Sequence, residues 1–171
     1  MKRNLFVLFF TATVLLTGCE RQELTVDMGK TVTDTNAPPV NLSAEIARAK
    51  GENKLLLLEF GSSDSCPPCV LFQQKVFSSP KFLAYEKSNL DFVRLDYPLK
   101  VDLRSDTKAT NNILARQFGA VSFPTFIALD HDGKEFWRMP AKDDPNPALD
   151  TTLFIPKNFI ALLKSLKAKV K

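Results

Sequence analysis

The sequence predicts an α/β fold, a central mixed β-sheet flanked by helices, and three observations carry that expectation. A nearly continuous apolar run of strand length, Lys54 to Phe60 (KLLLLEF), breaks at Gly61-Ser62-Ser63. Such a run suits a strand covered on both faces of a sheet. A helix-patterned run, Val70 to Phe77, follows it, and strand-like and helix-like segments continue to succeed one another up to the last residues. That succession is the pattern of layered α/β folds.

The elements follow in order. Asn41 to Lys50 places Leu42, Ile46 and Ala49 on one helical face, with Asn41 or Ser43 as a cap and Gly51 just past the end. Leucine alone would equally permit a helix over Lys54 to Phe60; the short length and the glycine-serine break decide for a strand, in which Glu59 is the anomaly. The next helix carries Val70, Leu71, Lys75, Val76 and Phe77 and stops near Ser78. Ser79-Pro80 then supplies a cap and a first-turn proline for a short helix to about Lys87. Asp91 to Tyr97 (DFVRLDY) alternates as a strand, with Phe92, Val93 and Leu95 as its apolar surface, and a polar segment runs from Pro98 to Thr107. Ala109 to Phe118 reads as a helix with Ile113, Leu114 and Phe118 inward and Gly119 as its stop. Val121 to Leu129 (VSFPTFIAL) is a strand interrupted by Pro124, which a sheet tolerates only at an edge, an entry point or a special bond. Asp130-His131-Asp132-Gly133 is a turn that makes His131 an exposed residue, and Lys134 to Met139 pairs back as a hairpin. A loop rich in proline and acid, Ala141 to Thr152, leads to the last helix, where Pro156 fits the first turn. Phe159, Leu162, Leu163, Leu166 and Val170 form its apolar stripe.

At 171 residues, 44% hydrophobic and 25% charged, the chain has room for one globular domain plus appendages. The appendage is at the front. Lys2 and Arg3 precede a stretch, Leu5 to Leu16, that is apolar except for Thr11 and Thr13. This is the layout of an export signal, and it is too short to span a bilayer comfortably. Leu16-Thr17-Gly18-Cys19 resembles the lipobox of bacterial lipoproteins. The resemblance implies that residues 1–18 are removed as a signal peptide and that Cys19 carries acyl chains, several of which anchor a protein stably. Residues 19–40 then form the lipidated cysteine and a flexible tether without sustained apolar period, and residues 41–171 form the domain. The expected location is membrane-anchored outside the cytoplasmic membrane, in the periplasm. Glu20, where many double-membraned bacteria mark inner-membrane retention with Asp, favours the outer membrane over the inner.

The sequence pI near 9.0 does not point to nucleic acid. The signal segment holds two of the 23 basic residues and none of the 19 acidic ones, which leaves 21 against 19, or +2. Much of that excess is Lys164, Lys167, Lys169 and Lys171, a solvated helix face or frayed tail and not a groove.

The chemistry concentrates in Cys66-Pro67-Pro68-Cys69, placed where the apolar strand hands over to a helix. There the first sulfur sits at a helix N-terminus, where unpaired N–H groups and the positive end of the helix dipole stabilise the nucleophilic thiolate. A zinc site competes, but it needs four ligands and the rest of the chain offers Cys19 and His131 at no recognisable spacing. A purely structural disulfide competes too, but little stabilisation comes from closing so short a loop. Accidental spacing is the third alternative. With Cys19 assigned to lipid, one dithiol remains and no odd thiol is left in an oxidising compartment.

The order strand, CxxC-helix, strand, helix, proline-interrupted strand, hairpin strand, helix resembles the thioredoxin superfamily from about Asn41 to Lys171. It is most similar to exported members with a long segment between the second strand and the following helix. The resemblance implies that Cys66 is the exposed attacker and Cys69 the buried resolver. It implies that Pro124, in Phe123-Pro124-Thr125, is the cis-proline that lies beside the dithiol and holds extended substrate backbone. Glu59 stands at the buried acid, usually Asp in the family, and would take the proton of Cys69. Two departures stand out. Ser65 replaces the family's tryptophan, and two prolines between the cysteines offer no N–H to the Cys66 sulfur. Pro67, preceding a proline, is biased away from helix, so the helix should begin near Pro68. Fewer donors mean a less stabilised thiolate and a lean towards reductant.

The expected function is that of a membrane-tethered thiol–disulfide oxidoreductase that reduces, or in second place isomerises, disulfides of exported proteins. Its electrons would come from a membrane thiol-transfer donor, with no bound cofactor or metal. A dedicated reductant for apocytochrome c or for another metalloprotein's cysteines is a second enzymatic reading. The alternative of a different class is a thioredoxin-fold binding module that holds a partner protein or metal without redox turnover.

Overall fold

The computed structural model describes residues 35–140 and 149–170. Strand β1 (Leu55–Gly61) lies inside a four-stranded mixed sheet of order β2-β1-β3-β4. It pairs in parallel with β2 (Leu90–Asp96) and antiparallel with β3 (Thr125–Leu129), which in turn pairs antiparallel with β4 (Glu135–Met139). All seven residues of β1 are buried, because helices cover both faces of the sheet.

Alternation along β1 divides the core in two. Leu56, Leu58 and Phe60 pack with Leu114 and Phe118 of α4 (Ser105–Phe118) and Ala49 of α1 (Leu42–Gly51). Leu55 and Leu57 face the other side, where α2 (Pro67–Phe72), α3 (Pro80–Asn89) and α5 (Pro156–Lys167) supply Phe72, Phe82 and Phe159. The rings there interlock, with centroids 5.0 Å apart for Phe72–Phe126 and 5.4 Å for Phe72–Phe159, within the range where aromatic pairs attract. By the same alternation Glu59 faces the side on which α2 packs.

The caps expected at Asn41 and Ser79 are in place: their side chains accept from Ala44 N–H and Phe82 N–H. Gly119, at φ 61°, ends α4 in the left-handed conformation that glycine adopts freely. Several expectations are corrected. Helix α2 starts at Pro67 and not Pro68, since Cys66 takes the extended cap position and a proline fits the first turn. A π-helical turn, Gln73–Phe77, continues it. Helix α4 begins at Ser105, so part of the expected polar loop is helical. Its inner row is Thr107, Asn111, Leu114 and Phe118. Ile113, expected inward, is 55% exposed. Strand β3 starts only after Pro124, leaving Val121 in solvent. His131 is half-buried, not exposed, with Nε2 3.4 Å from the Lys54 carbonyl oxygen. The end of the expected acidic loop forms a short 3-10 turn, Thr151–Phe154. Ahead of α1, the Thr107 hydroxyl donates to the Ala37 carbonyl and Val40 packs on the core.

Candidate active site

Cys66 and Cys69 sit where β1 runs out and α2 begins. They are joined by a disulfide, and the Cys69 N–H donates to Cys66 Sγ at 3.2 Å. Because Pro67 and Pro68 carry no N–H, that donor comes from the helix's third residue. Cys66, expected exposed, is 7% exposed and Cys69 3%: the Cys66 sulfur is turned inward onto Cys69 and the first turn of α2. A depression of about 310 Å³, lined in part by Asp64, Cys66, Val70 and Leu71, opens beside it.

On the inner side lies Glu59, 2% exposed. The parallel register sets Arg94 of β2 directly across from it, and Arg94 Nε donates to Glu59 Oε2 at 2.6 Å. The same guanidinium donates to Gln73 Oε1 at 2.5 Å and lies over the Phe77 and Phe92 rings. Glu59 Oε1 has no hydrogen-bond partner among the described residues. Gly61 brings this oxygen and the dithiol together. A Cβ on Gly61 would stand 3.3 Å from Cys69 Sγ and 3.4 Å from Glu59 Oε1, so the missing side chain leaves sulfur and carboxylate facing across one point. A cavity of about 10 Å³, about one water in size, is bounded there by Glu59, Gly61, Cys69, Arg94 and Asp96 among others. Burial pushes the Glu59 carboxyl above its ordinary value, Arg94 opposes that rise, and the neighbouring Asp96 adds to it.

The loop from β1 to Cys66 is pinned. Ser62 and Ser65 hydroxyls lie 2.5 Å apart, and Asp96 accepts the Ser63 N–H at 2.8 Å. Asp64 accepts the Leu99 and Lys100 N–H groups at 2.9 and 2.7 Å, and these hold its carboxyl below the usual range. Pro124 enters at the same end of the sheet: Thr125 pairs opposite Phe60, and the Phe123–Pro124 bond is cis, as is Met139–Pro140. Phe123 stacks on Tyr97 with centroids 5.0 Å apart. Cys19 lies outside the described residues, as does the whole lipobox segment. Among the described residues no cluster of three or more His, Cys, Asp or Glu could hold a metal ion, and no helix is long and apolar enough to cross a membrane.

Sequence reasoning missed Arg94, Gly61, Asp64 and Tyr97. Arg94 alone carried a signal, a cation amid the alternation of Asp91 to Tyr97. Its partner appears only once the register of two strands is known.

Comparison with known proteins fits this geometry. The disulfide bond reductase DsbH of Chlamydia pneumoniae is 28% identical over 94 residues, 55% of this chain and 57% of that protein; the match thus spans little more than half of the relative's length. A solved DsbH oxidoreductase superposes with a TM-score of 0.60 at 22% identity, covering 78% of this chain and 86% of that one, and shares the fold. The thioredoxin-like domain family matches residues 42–147, and the chain belongs to that family.

Proposed function

We propose that the chain is a thiol–disulfide oxidoreductase that reduces disulfides of exported proteins through Cys66 and Cys69. In the reduced protein the Cys66 thiolate attacks one sulfur of a substrate disulfide. A Cys66–substrate disulfide forms, and the other substrate sulfur leaves as a thiolate. Cys69 then gives its proton to Glu59 and attacks Cys66 Sγ, which expels the second substrate sulfur as a thiolate and closes the Cys66–Cys69 disulfide. Two electrons pass to the substrate, and a membrane thiol-transfer donor restores the dithiol. Pro124, at the same sheet end, holds the substrate's extended backbone. The acyl chains on Cys19, after removal of residues 1–18, keep the domain in the periplasm at a membrane, with the outer membrane favoured.

The observation that carries this reading is a CxxC pair on a helix N-terminus with, on the Cys69 side, a buried carboxylate oxygen that has no partner among the described residues. A carboxyl whose proton affinity is raised by burial is suited to accept a thiol proton near neutral pH. The test is the reduction of insulin by the pre-reduced protein. Loss of up to one insulin disulfide per protein molecule is expected, with matching oxidation of Cys66 and Cys69. No reduction, or tight stoichiometric metal uptake in its place, would favour the binding module.

A further inference from the structure

We infer that Gln73 is a positioning residue, which holds the Arg94 guanidinium on Glu59 and so keeps the other oxygen of that carboxylate turned towards Cys69. The inference rests on the oxidoreductase reading and deepens it. Gln73 stands one helical turn after Cys69, and its N–H bonds the Cys69 and Val70 carbonyls as the cap of α2. Residues four apart share a helix face, so Gln73 lies on the Cys69 side. Its carboxamide is fixed at both ends. Oε1 accepts from Arg94 Nη1 at 2.5 Å, and Nε2 donates to the Ser78 hydroxyl at 3.0 Å. The reverse placement would set an amide N–H against a guanidinium, which has donors only.

The backbone supports the same geometry. The π-helical turn Gln73–Phe77 closes with the Ser78 N–H on the Gln73 carbonyl at 3.0 Å, so main chain and side chain tie Gln73 to one residue. Such turns are rare and recur at functional sites. Arg94 needs the clamp: its side chain is 36% exposed and that of Glu59 only 2%, so water competes for the guanidinium and not for the carboxylate. Arg94 Nε on Glu59 Oε2 leaves Oε1, which has no partner among the described residues, facing Cys69 Sγ across the gap at Gly61. Contacts thus run from the Cys69 helix through Gln73 and Arg94 back to the oxygen opposite the Cys69 sulfur. Among the other charged groups here, Asp96 of β2 acts on Glu59 and Glu86 of α3 on Arg94. Lys75 of the π turn is exposed, Asp64 is turned to the Leu99 and Lys100 N–H groups, and β3 sets Phe126 opposite Glu59.

The test follows resolution of the mixed disulfide with insulin by acid quench and alkylation over a pH series, using the full protein. Adduct formation, in which Glu59 takes no part, is the internal reference. Loosening Arg94 leaves Glu59 with a higher proton affinity. In Gln73→Met the pH midpoint of the resolution rate should therefore rise by about half a unit to one unit, the size of one net hydrogen bond. Below the midpoint that is roughly a three- to tenfold loss of rate. Ser78→Ala, which frees the other end of the amide, should shift the midpoint the same way by less. In an Arg94→Met background Gln73→Met should move it no further. A midpoint absent or unmoved in Gln73→Met, or one that moves equally with and without Arg94, would overturn the inference and leave the oxidoreductase reading in place. Insulin left intact by the wild type would sink both.

Discussion

Arg94→Met separates the electrostatic part of the buried pair from its packing. Methionine keeps an apolar stem between the Phe77 and Phe92 rings but removes the charge that meets Glu59 Oε2 at 2.6 Å. Breaking a buried pair usually costs ~3–5 kcal/mol because a charge is left without compensation. Glu59 has an escape, which is to bind a proton. From the ordinary Glu value of 4.5 to pH 7, protonation costs about 3.4 kcal/mol at ~1.36 kcal/mol per unit. That is a ceiling, and the wild type already bears part of it, since its own carboxyl is raised above the ordinary value. The pH-dependent loss in Arg94→Met should therefore stay below about 3.4 kcal/mol at pH 7.

The sign follows from linkage. A carboxyl raised on folding binds more protons in the native state than in the unfolded one, so its penalty is absent below the unfolded value and complete above the folded one. Removing Arg94 raises Glu59 further. Up to the wild type's own folded value, which lies above 4.5, both proteins bear the same penalty; the gap should open above that value and level off above the variant's still higher one. Urea unfolding of the oxidised protein at a series of pH values measures it, with Glu86, whose carboxyl Arg94 also lowers, changed to Gln in both proteins so that the difference reads Glu59. A gap constant across pH would show that Arg94 contributes packing alone and that Glu59 does not feel its charge.

Glu59→Gln keeps the shape and removes the base, so mixed disulfides should accumulate and resolution at pH 7 should slow by about 100-fold. The deficit should shrink as pH nears ~8.5, where a free thiol ionises unaided; quench-and-alkylate time courses read both. Gly61→Ala puts a methyl 3.3 Å from Cys69 Sγ and 3.4 Å from Glu59 Oε1. It should lower stability by ~1–3 kcal/mol through overpacking and retard resolution in the same assay. On α4, Leu114→Ala should cost about 2–5 kcal/mol. Ile113→Ser, one residue away but exposed, should stay within about 0.5 kcal/mol of wild type in denaturant unfolding.

Local signals read well where a residue's role is set by its chain neighbours. Asn41, Ser79 and Gly119 are caps and stops whose chemistry acts within a few residues, and all three are used so. The run over Lys54 to Phe60 read as a buried strand because leucines on both faces leave no solvated side. Ile113 failed for a related reason: in an amphipathic helix with Thr107 and Asn111 on the inner row, hydrophobicity alone misplaces the stripe. Asn111 belongs inside because its amide donates to the Asp96 carbonyl and its own carbonyl takes the Tyr97 hydroxyl, pairings invisible in a list of apolar positions. Arg94 with Glu59, Asp64 with Leu99, and Arg48 of α1 with Asp91 of β2 all join residues distant in sequence. Such pairs depend on strand register and loop path, which only the folded chain supplies. The glycine at position 61 read as a strand break, yet it also leaves the opening between a sulfur and a carboxylate.

The proposed reaction requires the two sulfurs to act in a fixed order, Cys66 first and Cys69 second. Reduced Cys69→Ser, mixed with a disulfide-bonded polypeptide such as insulin and quenched with acid, should yield a stable adduct that peptide mass spectrometry assigns to Cys66. Reduced Cys66→Ser under the same conditions should yield little adduct. Equal trapping by both variants, or none by either while the substrate's disulfides remain open to small thiols, would contradict it.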